Sequence, residues 1–300
     1  MGIKSLKEIW QLFKELAEFK RKIPEIKILF KEFDKSENPK ATLEKILETV
    51  KKNPVLDDLL KISQTYDMVL RAEKNAEKKG WNYACLEAIK EMGVKVEIKG
   101  KENILTNGPT LYISNHPYGL LDSAVLIGSL GSLLEKNGGK MKIIGMNQLR
   151  AIKGIEEVIY FVNSTSSASN LKSLKDSLEY LENGGNLAIY PSGTPSGSGL
   201  KEYPWKNGIK HFLSSSSYVV PMWVSGPDHE RIYNLLARHE KTEKLRRVFS
   251  FREAWNKSGK TIYLNIGNPL PSEWLMYEFK DGNERTEYLR RCAENLKVER

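Results

Sequence analysis

The chain has 300 residues, 40% hydrophobic and 28% charged, a balance that excludes an intrinsically disordered protein. No run approaches the ~18 apolar residues of a transmembrane helix, and two cysteines, Cys85 and Cys292, exclude a disulfide scaffold or a cysteine zinc site. Its 47 basic and 38 acidic residues leave a net charge of +9, yet no zinc-finger spacing, RNP-like strand or arginine cluster supplies a nucleic-acid module.

In chain order, the first stretch reads as helices separated by prolines. Ile3, Leu6, Ile9, Trp10, Phe13, Leu16 and Ala17 recur at three- and four-residue steps, with Lys4, Lys7, Glu15 and Glu18 opposite. This predicts an amphipathic helix over 3–19, suited either to a membrane surface or to packing on neighbouring helices. The same N-terminus has no uninterrupted apolar core, so it is not a secretory signal. A cytoplasmic protein, peripheral on the inner face of a membrane, is the expected setting.

Pro24, Asn38-Pro39 and Asn53-Pro54 punctuate further helical stripes, and one more helix is predicted over 82–92, ended by Gly93. The pattern then changes. Val94, Val96 and Ile98 alternate with Lys and Glu as a half-buried strand. Strands follow at 111–113, 141–145, 156–162, 186–190, 219–224 and 261–266, interleaved with helices at 121–135, 168–183 and 206–215. The predicted fold is therefore α/β, a mixed sheet flanked by helices over 94–300, preceded by an N-terminal helical domain over 1–93.

The densest chemical signal is the run from Ser114 to Asp122. A strand ends there, the chain turns through Pro117 and Gly119, and a helix begins near Asp122. His116 thus stands at a strand's carboxyl end, where open α/β sheets form their ligand crevices. Asp122, in the first helical turn, is placed to fold back onto the imidazole. A carboxylate on one ring nitrogen fixes the tautomer and frees the other as a base. That is a Ser-His-Asp triad lacking its serine, so the substrate must bring the nucleophile. A plain structural reading makes His116 a loop residue and Asp122 a helix cap.

The surrounding blocks resemble those of the glycerolipid acyltransferase superfamily. Asn115-His116 with Asp122 matches its first block in a His-Pro-x-Gly-x-x-Asp form. Tyr190-Pro191-Ser192-Gly193-Thr194-Pro195-Ser196 is similar to its third, Trp205–Gly208 to the Trp-Lys-x-Gly element, and Val220-Pro221 to the fourth. The ordered set spans roughly residues 94–272. The resemblance implies acyl transfer from acyl-CoA or acyl-carrier protein to a lysophospholipid or glycerol-phosphate acceptor, with no metal or redox cofactor. His116 would be the general base and Asp122 its orienting acid. Asn115, Gly119, Ser192, Gly193 and Thr194 would line the substrate, and backbone donors around Gly193 would face the oxyanion.

Two departures stand out. Ser192 replaces the block-three glutamate and Pro195 its arginine, so that block cannot clamp a phosphate. Arg150 and Lys153 are the candidate substitutes. The lost pair also admits an alternative, a non-catalytic lipid- or anion-binding protein on the same fold. No G-x-S-x-G elbow exists, which argues against a serine hydrolase. His211, His229 and His239 show no metal-ligand clustering and are expected in packing or surface roles.

Overall fold

The computed structural model describes residues 30–33, 35–106, 108–163, 167–238 and 240–298, with isolated positions 17, 21, 24 and 28. The amphipathic stretch 3–19 lies outside the described residues apart from Ala17.

Helices α1 (Pro39–Lys51) and α2 (Pro54–Leu60) each start on a proline whose missing N–H would go unsatisfied anyway. Asn38 and Asn53 cap them, their side chains accepting from Ala41 N and Leu56 N, both at 3.2 Å. Helix α3 (Ile62–Glu91) absorbs the predicted helix over 82–92 and bends at Gly80, whose φ of 81° and ψ of 166° interrupt the helical path.

Strands β1 (Lys95–Lys99) and β2 (Thr110–Ser114) follow, then α4 (Leu120–Val125). This helix runs through one wide π-turn, Leu126–Leu130, into α5 (Gly131–Lys136). The turn lies against α3, and a Cβ on Gly128 would stand 3.0 Å from Leu86 N. Only a glycine admits that approach. The chain continues through β3 (Met141–Met146), β4 (Ile159–Val162), α6 (Ser167–Glu182), β5 (Asn186–Ile189), α7 (Lys210–Leu213) and β6 (Tyr218–Ser225). Helices α8 (Arg231–Leu236) and α9 (Glu240–Trp255) precede β7 (Thr261–Ile266) and β8 (Leu270–Pro271), and α10 (Ser272–Glu278) and α11 (Gly282–Glu294) complete the described chain. These last four helices carry no prediction above.

The eight-stranded sheet has the order β1-β7-β6-β2-β5-β3-β4, with β8 paired to β6. Neighbours from β6 to β4 are parallel, while β7 and β8 run antiparallel to β6. The sheet is therefore mixed and flanked by helices. β2 sits centrally and is buried at every position, as a parallel strand covered on both faces must be. Its alternation splits the core. Tyr112 joins Leu121, Val125 and Leu130 under α3–α5 on one face, and Leu111 and Ile113 join Leu181 and Leu289 under α6 and α11 on the other. Met68, Trp81 and Ile89 of α3 belong to the first of these cores. Among the described residues, no helix is long and apolar enough to cross a membrane.

Candidate active site

Because β2, β5 and β6 are parallel, their carboxyl ends meet at one edge of the sheet. The chain leaving β2 does not let go at once. Asn115 Oδ1 accepts from Val224 N at 2.6 Å, and its Nδ2 donates to Val224 O at 2.9 Å. Both ends of that amide are spent on β6, so Asn115 anchors the loop instead of facing a substrate.

His116 comes next, where the ladder has stopped. Its Nδ1 lies 2.8 Å from Asp122 Oδ2. The same oxygen accepts the main-chain N–H of Tyr118 at 2.7 Å and of Gly119 at 3.0 Å. Gly119, with φ of 68°, makes the reversal that converges these donors. A carboxylate can only accept, so the proton stays on Nδ1 and the lone pair on Nε2. Asp122 is fully enclosed while the histidine side chain keeps 13% of its exposure. The imidazole is held from within and reachable from without.

The wall of the site is the turn after β5. Tyr190 stacks on the His116 ring with centroids 4.0 Å apart and planes at 14°. Burial, and then the Asp122 charge, push its phenol well above the usual range, so it stays protonated. Gly193 adopts φ of 67° and donates its N–H to Tyr190 O at 2.9 Å. Of the backbone donors around Gly193 expected at the oxyanion, this one closes the turn. Ser192 is buried and its Oγ donates to Thr194 O at 3.0 Å. Ser196 N donates to His116 O at 2.7 Å, which ties the turn to the histidine loop.

Positive charge reaches this turn from elsewhere. Arg246 on α9 is wholly buried and donates Nη1 to Pro195 O at 2.8 Å and Ser196 O at 2.6 Å, and Nη2 to Thr194 Oγ1 at 3.5 Å. Lys206 lies against Gly193, its Nζ 3.1 Å from where a Cβ on that glycine would stand. The candidate substitutes are fastened elsewhere. Arg150 covers the Phe161 ring at 4.2 Å and donates to Asn147 Oδ1 at 2.8 Å. Lys153 pairs with Glu77 of α3 at 2.7 Å, both exposed. Among the described residues, neither is hydrogen-bonded to His116 or to the 192–196 turn.

Sequence reasoning also passed over Glu202. Its Oε2 accepts from Ser196 Oγ at 2.6 Å and from His116 N at 3.4 Å, and its Oε1 from Trp205 Nε1 at 3.2 Å. Desolvation pushes this carboxyl up, opposed by those three donors. His211 is exposed, and His239 lies outside the described residues. His229 is buried, with Nδ1 3.1 Å from Glu253 Oε1, and Lys257 closes on the same oxygen. Its ring meets Tyr118 edge-on at 5.7 Å. Among the described residues, no cluster of His, Cys, Asp and Glu could hold a metal ion.

Three comparisons bear on this site. Residues 95–225 match the family model described as Acyltransferase. The chain is similar to the lyso-glycine lipid O-acyltransferase of Phocaeicola vulgatus, 27% identical over 224 residues covering 71% of this chain and 75% of the relative. It is 25% identical over 237 residues to that of Bacteroides thetaiotaomicron, covering 75% and 82%. Its fold is similar to the crystal structure of the 1-acyl-sn-glycerophosphate acyltransferase of Thermotoga maritima, with a TM-score of 0.52 and 18% identity, covering 82% of this chain and 95% of that one. Residues 95–225, which hold the histidine loop and the turn beside it, thus match the acyltransferase family, on a mixed sheet similar to that of the solved neighbour.

Proposed function

We propose that the chain moves an acyl group from a thioester, acyl-CoA or acyl-carrier protein, to the hydroxyl of a lysolipid. The observation that carries this reading is the His116–Asp122 pair at 2.8 Å, its base reachable at the sheet edge while its acid is enclosed. His116 Nε2 takes the proton of the acceptor hydroxyl as its oxygen attacks the thioester carbonyl. The tetrahedral intermediate collapses by breaking the carbon–sulfur bond, and the imidazolium returns its proton to the departing thiolate. Asp122 holds the ring and stabilises its cationic form meanwhile.

Lysolipids are the favoured acceptors because both curated relatives are named for a lyso-glycine lipid. An anionic headgroup would find Lys206 beside the 192–194 turn, while Arg246 is occupied in shaping it. A net charge of +9 suits a polyanionic donor, whether CoA or an acidic carrier protein. The test is ester formation from radiolabelled acyl-CoA and acyl-carrier protein with lyso-glycine lipid, lysophosphatidate and glycerol-3-phosphate. Product with a lysolipid is expected; no ester from any donor and acceptor would overturn the reading in favour of lipid binding without turnover.

A further inference from the structure

We propose that Glu202 is a positioning residue for the transfer step, its carboxylate clamping the His116 peptide to the 192–196 turn. The inference rests on His116 acting as the base, and deepens that reading.

The hydrogen-bonded ladder of β2 ends at Ser114 and that of β5 at Ile189. Beyond those points the sheet reaches the loop through the Asn115 amide on β6, one residue before the histidine. The His116 peptide is instead gripped at both ends: its C=O accepts from Ser196 N at 2.7 Å, and its N–H reaches Glu202 Oε2 at 3.4 Å. Ser196 Oγ donates to that same oxygen at 2.6 Å, so one carboxylate atom joins the two loops. The other oxygen is moored by Trp205 Nε1, and the Trp205 ring is buried in the core beneath α6 and α11. Glu202 thereby connects the catalytic loop to the rigid interior.

The chemistry demands a carboxylate here. Three donors converge on two oxygens, and a glutamine has one acceptor oxygen and an amino group that would confront a donor. Retaining a desolvated charge is costly, and such costs concentrate where function requires them. The charge also has a use. The imidazole becomes cationic as the acceptor's proton moves onto it, and Glu202 and His116 interact electrostatically. A fixed anion nearby favours that state.

Kinetics of the full chain separate this role from a merely structural one. Glu202→Gln is expected to lower kcat by about 10²-fold, the scale for displacing a reacting group by an ångström, with both KM values little changed. Its Tm should fall modestly, because one of the three donors then faces an amino group, so kcat is taken per folded molecule. Burial places the Glu202 carboxyl above the usual range, so the wild-type kcat profile should show an acid limb there that Glu202→Gln lacks. Glu202→Asp, which keeps the charge, should recover part of the loss. Ser196→Ala, which removes the 2.6 Å donor and spares the carboxylate, should lower kcat by less and serves if the glutamine variant fails to fold. Wild-type kcat in Glu202→Gln, or in Ser196→Ala where only that variant folds, beside an inactive His116→Ala overturns the positioning role alone. Wild-type turnover in His116→Ala overturns the base itself, and this proposal with it.

Discussion

Among the described residues, two histidines hold a carboxylate within hydrogen-bonding distance, and they are opposites. His116 meets Asp122 at 2.8 Å at the open edge of the sheet, keeping 13% exposure. His229 meets Glu253 at 3.1 Å with side-chain exposures of 0% and 1%, and Lys257 fills the remaining side. Burial alone would raise the Glu253 carboxyl, but the His229 hydrogen bond and the Lys257 charge hold it below the usual range. The first pair leaves a ring nitrogen on an imidazole that solvent reaches; in the second the other ring nitrogen, His229 Nε2, is buried. A His–carboxylate contact is thus no signature of catalysis until its access is known. The two are also in touch, since the His229 ring abuts Tyr118, whose N–H binds Asp122.

The comparison can be broken by substitution. His116→Ala should abolish transfer, costing about 10²–10⁴-fold in kcat, with an unchanged unfolding transition. Asp122→Asn should be comparably severe, because an amide in that socket presents a donor to one of three donors or holds the wrong tautomer. Steady-state assays beside circular-dichroism melts check both, and near-normal turnover in either would erase the distinction drawn here.

Glu253→Ala should do the reverse. Removing one partner strands the buried ammonium of Lys257, at a cost of about 3–5 kcal/mol in urea unfolding, with kcat per folded molecule retained. The sign with pH follows. A depressed carboxyl stabilises the fold above the ordinary carboxylate range and loses that contribution as pH falls through the folded value, so the wild type and Glu253→Ala should converge in stability at low pH. The smallest effect should come from Lys153→Ala and Arg150→Ala. Both residues are engaged away from the turn, so acceptor preference across phosphate-bearing and phosphate-free lysolipids should hold; a collapse of phosphomonoester use would return them to the site.

Much of this was legible where chemistry and sequence run together. His116, Gly119 and Asp122 fall in one loop-to-helix turn, so strand-end placement and helix capping sufficed to join them. The strands were legible too, since burial on one or both faces leaves a clean period or apolar run. Glu202 was not, because it contacts His116 across 86 residues, nor Arg246, which meets the 195–196 turn from about 50 residues on. Helix α9 escaped notice for a related reason. It turns Arg246 and Glu253 inward, so charged residues that a periodicity reading assigns to solvent are among its most buried. The change of period near residue 93 was visible, but the packing of α3 into the sheet's core was not.

Asn115 has a consequence for how activity arises during synthesis. Its amide mimics one more rung of the ladder, joining the histidine loop to a strand 109 positions downstream. Until residues 218–225 have been made and paired, the loop lacks that tie. Contacts that distant form late, after nearer ones have organised the chain. A molecule in which β6 is not yet paired therefore carries His116 and Asp122 on a loop short of one of its anchors.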